Sequence, residues 1–240
     1  MARHISGTKP SRRGKVMAIL AGGAVIGLGT TATLASWTDT EWVFGGTTDV
    51  NGDIIPGVGT SIFEVEQNVS TPYVSTGFLQ NETNPGESLI FTSTALALSP
   101  GTSTYAAVAL RTVTASVGGD LTLQAAVPAA GFNAAADVDD LLWNALTVRA
   151  SVTSAAVTCD ASAFLSTVNA GAGPVIVASG ALGTAIGTTD QSVSAASGNV
   201  QHYCFEVTLP TVPTVSGAYT VSDLQDRLVA PAWEFSAVSN

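Results

Sequence analysis

The chain has 240 residues, of which only 11% are charged, and its 18 acidic residues outnumber its eight basic ones to give a formal net charge of −10. Such a negative charge repels phosphate backbones and anionic lipid surfaces, so the composition excludes nucleic-acid binding and electrostatic binding to membranes. The length is sufficient for one larger β domain with a hydrophobic core of its own.

The first 35 residues have the order of a secretory signal peptide. Residues 1–15 carry five basic side chains, residues 16–34 are uncharged and mostly apolar, and the small-residue pair Ala35-Ser36 follows. Basic, apolar and small-residue regions in this order are typical of a cleaved export signal. We therefore predict cleavage between Ala35 and Ser36, which makes a signal peptidase a transient partner, and secretion of the remaining chain.

A membrane anchor is the alternative interpretation, because an uncharged run of this length can span a bilayer. Four glycines and three threonines in the run lower its helix propensity and its hydrophobicity, which favours a cleaved segment and no stable membrane insertion afterwards. The predicted mature chain keeps three arginines and all 18 acidic residues, a formal charge of −15. This balance is typical of a protein that stays soluble outside the cell.

Cys159 and Cys204 are the only cysteines of the chain. In an exported protein an even pair favours a disulfide over a metal or redox site, and the alternative without export is two buried thiols. Closing a loop of this size stabilises a fold by about 4 kcal/mol in the chain-entropy model.

Short, alternating, β-branched runs separated by Gly, Pro, Asn and Ser predict an all-β mature chain. The odd-numbered residues of 203–209 are all apolar, so that segment should cover a core with one face. The paired glycines Gly118-Gly119 predict a tight hairpin turn. The predicted strands are residues 60–66, 88–96, 104–117, 120–127, 146–157, 203–209 and 232–238.

Two segments predict short crossover helices between sheets. In residues 133–146, Asn133 can cap a helix whose apolar residues recur at helical spacing, and in residues 222–228 Ser222 and Gln225 have capping-box spacing. Residues 171–198 are rich in small residues, which predicts a long loop or a weakly ordered edge hairpin.

Catalytic residue types are scarce in the predicted mature chain. His202 is its single histidine, and neither a GxSxG nor an HExxH motif is present, so serine-hydrolase and zinc chemistry lack their usual groups. The carboxylate pairs Asp139-Asp140 and Glu64/Glu66 are explained by solvated faces. We therefore expect no enzyme activity, no catalytic residue and no cofactor.

The segment Asp49-Val-Asn-Gly-Asp53 has oxygen ligands at alternate positions, as calcium loops do. Its continuation does not match an EF-type loop, because Ile54 stands where Gly is needed and Thr60 where a carboxylate is needed. An ordinary Asx-and-Gly turn is the favoured interpretation, with calcium as the alternative, and no metal ligand is assigned.

Several short stretches resemble the camelysin/TasA family of exported fibre proteins, in the actinobacterial branch with an alternate, SipW-type signal peptide. Thr33-Leu-Ala-Ser-Trp-Thr-Asp-Thr-Glu41 is similar to the family's cleavage region. The other stretches that carry the resemblance are residues 59–65, 98–101, 203–210 and 233–237. They are spread along most of the chain, from residue 33 to residue 237, although each motif is short.

The resemblance implies a jelly-roll-like antiparallel β-sandwich over residues 59–240, preceded by the signal peptide of residues 1–35 and an N-terminal arm of residues 36–58. It also implies a role in the extracellular or biofilm matrix or on the cell surface. In this family the freed N-terminus inserts as a strand into the next subunit, which gives a head-to-tail homopolymer. Carried onto this chain, the donor segment is 36–46, with residues 47–58 as a loop. Its apolar anchors are Trp37, Trp42, Val43 and Phe44.

The metalloprotease activity claimed in the name camelysin has no support in these residues, and we do not transfer it. Two further hypotheses stand beside self-assembly. One is a monomeric surface adhesin or binding module, and the other is a secreted hydrolase that would have to depend on His202.

Overall fold

The computed structural model describes residues 41–165 and 173–240, which divide into two units at Gly59/Thr60. The predicted signal peptide, the cleavage pair Ala35-Ser36 and Trp37 lie outside the described residues. Within the described ranges the chain is mostly β, with antiparallel sheets and one short α-helix, which confirms the predicted all-β sandwich fold.

The described part of the first unit is a β-hairpin. Strands β1 (Gly46–Thr48) and β2 (Ile54–Pro56) pair antiparallel, and residues 49–53 form the turn between them. The predicted loop over residues 47–58 is therefore wrong for this segment, since its two ends pair with each other. The turn that brings them together begins at Asp49.

The second unit contains three sheets of antiparallel strands. The largest has the order β3-β4-β10-β7-β8, a second has the order β12-β5-β9, and β11 pairs with β6. The bounds are β3 Val65–Asn68, β4 Thr102–Thr112, β5 Gly119–Leu123, β6 Val127–Pro128, β7 Thr147–Thr153, β8 Val175–Ala181, β9 Gln191–Val193, β10 Gln201–Leu209, β11 Pro231–Ala232 and β12 Phe235–Ser239.

Strand β10 is the centre of the five-stranded sheet, and its apolar face forms the core as the alternation predicts. The ring of Phe205 lies 4.6 Å from that of Trp233 between centroids, and the ring of Tyr203 lies 4.8 Å from that of Phe235. The opposite face is also covered, because Cys204 and Glu206 are buried. Strand β10 is thus buried on both faces, which alternation alone does not predict.

The predicted hairpin at Gly118-Gly119 is wrong. Strand β4 ends at Thr112 in one sheet and β5 begins at Gly119 in another, so this segment crosses between sheets. Neither glycine is among the residues with positive φ. A Cβ added at Gly119 would lie 2.3 Å from the carbonyl oxygen of Val238, so close backbone approach, and not turn geometry, requires the glycine.

The predicted strand over residues 88–96 is also wrong. Leu89 and Phe91 pack against the core, but only Thr92 makes a backbone–backbone bond to β4, through its N–H to the carbonyl oxygen of Tyr105 at 2.9 Å. The chain then turns into a 3-10 helix at Ser93–Leu96. The alternating pattern here therefore reflects a half-buried segment that is not paired with another strand. The strand predicted to begin at residue 60 is β3, and it begins only at Val65.

The predicted helix over residues 133–146 is reduced to two 3-10 turns, Ala134–Ala136 and Val138–Asp140, and the short helix α1, Leu141–Ala145. Asp139 and Asp140 have φ of 64° and 52°, and this left-handed backbone interrupts a continuous helix. Asn133 does act as a local cap, because its Oδ1 accepts a hydrogen bond from the Ala135 N–H at 3.1 Å.

Two other predicted segments differ in detail. The second crossover is a 3-10 helix at Val221–Leu224, and its box uses Thr220 and Asp223 instead of Ser222 and Gln225: the Thr220 N–H donates to Asp223 Oδ2 at 2.6 Å. The region of residues 171–198 contains β8 and β9, which are edge strands of two different sheets and do not pair with each other. A further 3-10 helix spans Ala161–Phe164.

Within residues 41–165 and 173–240, no helix has the length and apolar character to cross a bilayer.

Candidate interaction sites

The predicted donor segment is solvent-exposed where the structure describes it. Trp42, Val43 and Phe44 have 89%, 96% and 71% of their surface exposed. They immediately precede β1, and Gly57 donates its N–H to the Gly45 carbonyl oxygen at 2.7 Å, so the hairpin begins directly behind them. Three adjacent large apolar residues in solvent are typical of an interaction surface.

The hairpin turn uses Asp49 as an ordinary Asx acceptor. Its Oδ1 accepts hydrogen bonds from the N–H groups of Asn51 at 2.8 Å and Asp53 at 2.9 Å. These bonds, that from Asp53 foremost, hold the pKa of Asp49 below its usual value. Gly52 has a φ of +87°, which a glycine adopts without strain. The turn therefore has the Asx-and-Gly geometry that the sequence favours. Among the described residues, no group of three His, Cys, Asp or Glu side chains is placed to hold a metal ion.

The predicted disulfide between Cys159 and Cys204 is present, with a Cα–Cα distance of 5.3 Å. It attaches the segment after β7 to the outer face of the five-stranded sheet, opposite the core. Phe164 of this segment packs against Cys204, and the centroid of its ring lies 4.8 Å from the guanidinium Cζ of Arg149. The disulfide thereby forms one wall of a cleft on this face.

The cleft has a volume of about 620 Å³ and lies on the outer face of strands β4, β10 and β7. Its floor follows from strand register: Ala107 lies opposite Cys204, which lies opposite Ser151, and the next row is Ala109, His202 and Thr153. Small side chains in these rows leave the space. The surrounding walls are residues 70–73, 90–92 and 156–159.

No Asp, Glu, Lys or Arg lines this cleft among the described residues. Its only titratable histidine, His202, packs edge to face on Tyr73 with ring centroids 4.6 Å apart, and burial lowers the pKa of His202 below its ordinary value of 6.5. The imidazole is therefore neutral at physiological pH. The volume lies in the range of sites for small ligands, and the lining selects against a charged one.

One main-chain position of the cleft is unpaired. Val113 donates its N–H to Glu64, so every second residue from Val113 back to Tyr105 directs its N–H and C=O to this edge of β4. Asn68 is the last residue of β3 and lies opposite Ala109, while Thr92 bonds to Tyr105.

Between these two contacts, Ala107 is half-buried and has no hydrogen-bond partner for its N–H or C=O among the described residues. Strand β3 does not extend alongside Ala107. Instead it ends at Asn68, where the Ser70 N–H donates to the Asn68 side chain at 2.9 Å. A half-buried donor and acceptor without partners are uncommon in a folded protein and indicate a place where another chain can pair.

A second open edge belongs to β12, the terminal strand of its sheet. Gln124 donates to Glu234 and Asn240 to Gly118, so the even-numbered residues of β12 face β5. The main-chain groups of Phe235, Ala237 and Ser239 then face away from it. In the part of the chain that the structure describes, no backbone bond reaches them from the other side.

The His202 ring packs against Tyr73, and within the described residues no hydrogen bond joins it to a serine or a carboxylate. In each of the two carboxylate pairs, one member bonds to another side chain. Glu66 accepts a hydrogen bond from Arg111 Nε at 2.6 Å, and Asp139 Oδ2 accepts one from the Tyr219 hydroxyl at 2.5 Å. The latter contact raises the pKa of Tyr219.

All three arginines of the second unit form ion pairs, with Glu66, Glu206 and Asp137. Glu206 is buried and also accepts a bond from the Tyr105 hydroxyl at 3.1 Å. Burial, with the Glu206 charge, raises the pKa of Tyr105. Because every arginine is paired, the second unit offers no free cation to an anionic ligand within its described residues.

No family model, curated protein or solved structure matches this chain. The camelysin/TasA resemblance therefore depends on the short motifs alone. The sequence predicted the disulfide, which is confirmed, but it did not predict the cleft. The one sequence signal of the cleft is the pair of consecutive small residues Ala106-Ala107, a pattern that core packing explains equally well.

Proposed function

We propose that the chain is an exported structural protein of the extracellular matrix or cell surface that self-assembles head to tail through its N-terminal arm. The observation that carries the proposal is the exposure of Trp42, Val43 and Phe44. The motif resemblance to exported fibre proteins supports the same reading. A signal peptidase frees the arm by cutting between Ala35 and Ser36, which leaves no stable membrane segment on the mature chain.

The energetics favour burial of the arm in a partner. Fully burying a large apolar side chain contributes about 2 kcal/mol, so three such residues supply enough to offset part of the cost of ordering the arm and joining two chains. Addition of a strand to an unpaired sheet edge contributes main-chain hydrogen bonds as well. Because donor and acceptor are different surfaces, each added copy leaves a new acceptor free, and the contact propagates into a filament.

The test is negative-stain electron microscopy of the chain from Ser36 to Asn240 beside a version that begins at Thr47. A matched variant with Trp42→Ser and Phe44→Ser keeps the arm's length and removes its apolar anchors. We expect filaments only from the unaltered chain. Monodisperse monomers from all three versions would contradict the proposal.

The cleft favours a second candidate, a monomeric surface adhesin or binding module. It is concave, uncharged and partly enclosed by a disulfide-attached wall. This function predicts a monomer in solution that binds a neutral partner through residues 70–73 and 156–159. Analytical ultracentrifugation separates the candidates, since an adhesin sediments as a monomer at every concentration, whereas the assembling protein gives larger species as concentration rises.

A further inference from the structure

We infer that the acceptor for the arm is the gap in the edge of β4 beside Ala107, which takes Val43-Phe44-Gly45 of a second copy in an extended conformation. This inference rests on the proposed function, because it assumes that the arm binds another copy. It selects one of the two open edges described above and assigns the cleft to that contact.

The gap has the length of a short strand segment. Asn68 occupies the position opposite Ala109, and Thr92 occupies the position beside Tyr105, which leaves the rows of residues 106–108 without a neighbour. Three rows accommodate three residues of an added strand, since successive residues of a strand advance by about 3.3 Å. The central row is that of Ala107, whose N–H and C=O both point into the gap.

The geometry selects a peptide among neutral ligands that contain amides. A trans amide directs its N–H and its C=O in opposite directions, so one amide group alone can meet only one of the two Ala107 groups. A residue in extended conformation presents its own N–H and C=O on the same side and exchanges both bonds with the residue opposite. An extended peptide therefore satisfies both orphan groups of Ala107.

The arm fits with Phe44 opposite Ala107. Side chains that lie opposite each other point to the same face, so the Phe44 ring would enter the cleft above the floor of Ala107, Cys204 and Ser151. Its neighbours, Val43 and Gly45, would point to the other face of the sheet, towards the core. Placing Trp42 there instead would bring Val43 and Glu41 to the core side, which would bury a carboxylate.

Charge also matches. Residues 42–48 carry no charged side chain, and the cleft has none among its described lining residues. In a mature chain with a formal charge of −15, two copies repel each other over most of their surfaces, and contact is least opposed where both partners are neutral. The segment and the cleft meet this condition together.

The first experiment titrates a peptide of residues 41–47 into the full isotope-labelled chain and follows the Ala107 amide signal by NMR. We expect that signal to shift, because its N–H gains a hydrogen bond, and we expect a peptide with Phe44→Asp to bind at least about tenfold more weakly, since burying an unpaired carboxylate is unfavourable. An unmoved Ala107 amide, or equal binding of the two peptides, would overturn the inference.

The second experiment compares filament formation by cleft and control variants. Ala107→Glu and Val157→Glu each place a carboxylate in the cleft, and Val157 is 46% exposed in a loop, so its replacement leaves the strands intact. Val212→Glu, at an exposed position outside the cleft, is the control for added charge. Ala237→Pro tests the rival edge, because the Ala237 N–H faces away from β5 and its loss removes no ladder bond.

We expect the two cleft variants to lose filaments while Val212→Glu and Ala237→Pro retain them. Arm-dependent filaments that survive both cleft variants but are lost in Ala237→Pro would overturn the inference and leave the proposed function standing. If the unaltered chain forms no filament, the proposed function fails, and the peptide titration alone decides whether the cleft is a peptide site.

Discussion

Arg227 donates a hydrogen bond from Nη1 to Oδ1 of Asp137 at 3.0 Å, and both side chains are largely buried. The two Asp137 carboxylate oxygens also accept the N–H groups of Leu142 at 3.0 Å and Trp143 at 2.9 Å. One carboxylate thus accepts hydrogen bonds both from N–H groups at the start of helix α1 and from an arginine 90 residues further along the chain. The pair joins the crossover helix to the last loop before β11.

Replacing Asp137 with alanine should lower the free energy of unfolding by about 3 kcal/mol, because it leaves a buried guanidinium and two helix N–H groups without an acceptor. Urea denaturation measures the change. Glu82→Ala, at an exposed position, is the control and should change stability by less than about 0.5 kcal/mol. Equal stability of the two variants would show that the ion pair contributes nothing.

Gly119→Ala should destabilise the protein by about 2 kcal/mol, because its Cβ would meet the Val238 carbonyl oxygen at 2.3 Å and the Phe63 ring at 2.6 Å. Strand β12 must then move away from β5. Thermal unfolding measures the loss, and Gly59→Ala, where an added Cβ has no heavy atom within 4 Å, provides the control. An unchanged melting temperature for Gly119→Ala would mean that the strands have room to separate.

Removing the disulfide by the double substitution Cys159→Ala and Cys204→Ala should cost about 4 kcal/mol of stability in the chain-entropy model, for a loop with a sequence separation of 45. Reducing agent should destabilise the unaltered protein and leave the double variant unchanged, which separates loss of the bond from loss of side-chain packing. Denaturation curves with and without dithiothreitol measure both effects. A double variant as stable as the oxidised parent would refute the prediction.

His202 should make the protein less stable in mild acid. Its pKa is lowered in the folded state by burial, so the unfolded state binds the proton more tightly. The stability from this group is fully present above 6.5, its ordinary pKa, and falls as the pH drops below 6.5 towards the lowered folded value. His202→Gln should flatten this part of the profile of melting temperature against pH between 8 and 5. Parallel profiles for both proteins would exclude His202 as the cause.

The alternation of residues 203–209 was sufficient to predict strand β10 and its core face, because a period of two assigns side chains to opposite faces whatever the strand's neighbours are. It could not show that the other face is buried as well. That burial comes from the Cys159 segment, which the disulfide holds against Cys204. The pairing itself was predictable, since Cys159 and Cys204 are the only two cysteines of the chain.

Failures of the sequence predictions share one cause, which is that local patterns do not report long-range neighbours. Gly118-Gly119 has the composition of a hairpin turn, yet the closeness of the Val238 backbone is what requires glycine at position 119. Residues 88–92 alternate like a strand, yet only Thr92 bonds to β4. The left-handed backbone at Asp139 and Asp140 interrupts the predicted helix, and helical periodicity does not reveal it.

By itself the sequence determined the β class, the core face of the central strand, the disulfide partners and an arm whose apolar residues have no charged neighbours between Trp42 and Thr48. Only the tertiary structure decided which strands share a sheet and where a strand edge is open. The N–H and C=O of Ala107 are chemically the same as those of any residue. They are unpaired because β3 ends at Asn68 and the returning chain meets β4 again only at Tyr105, and that depends on contacts distant in sequence.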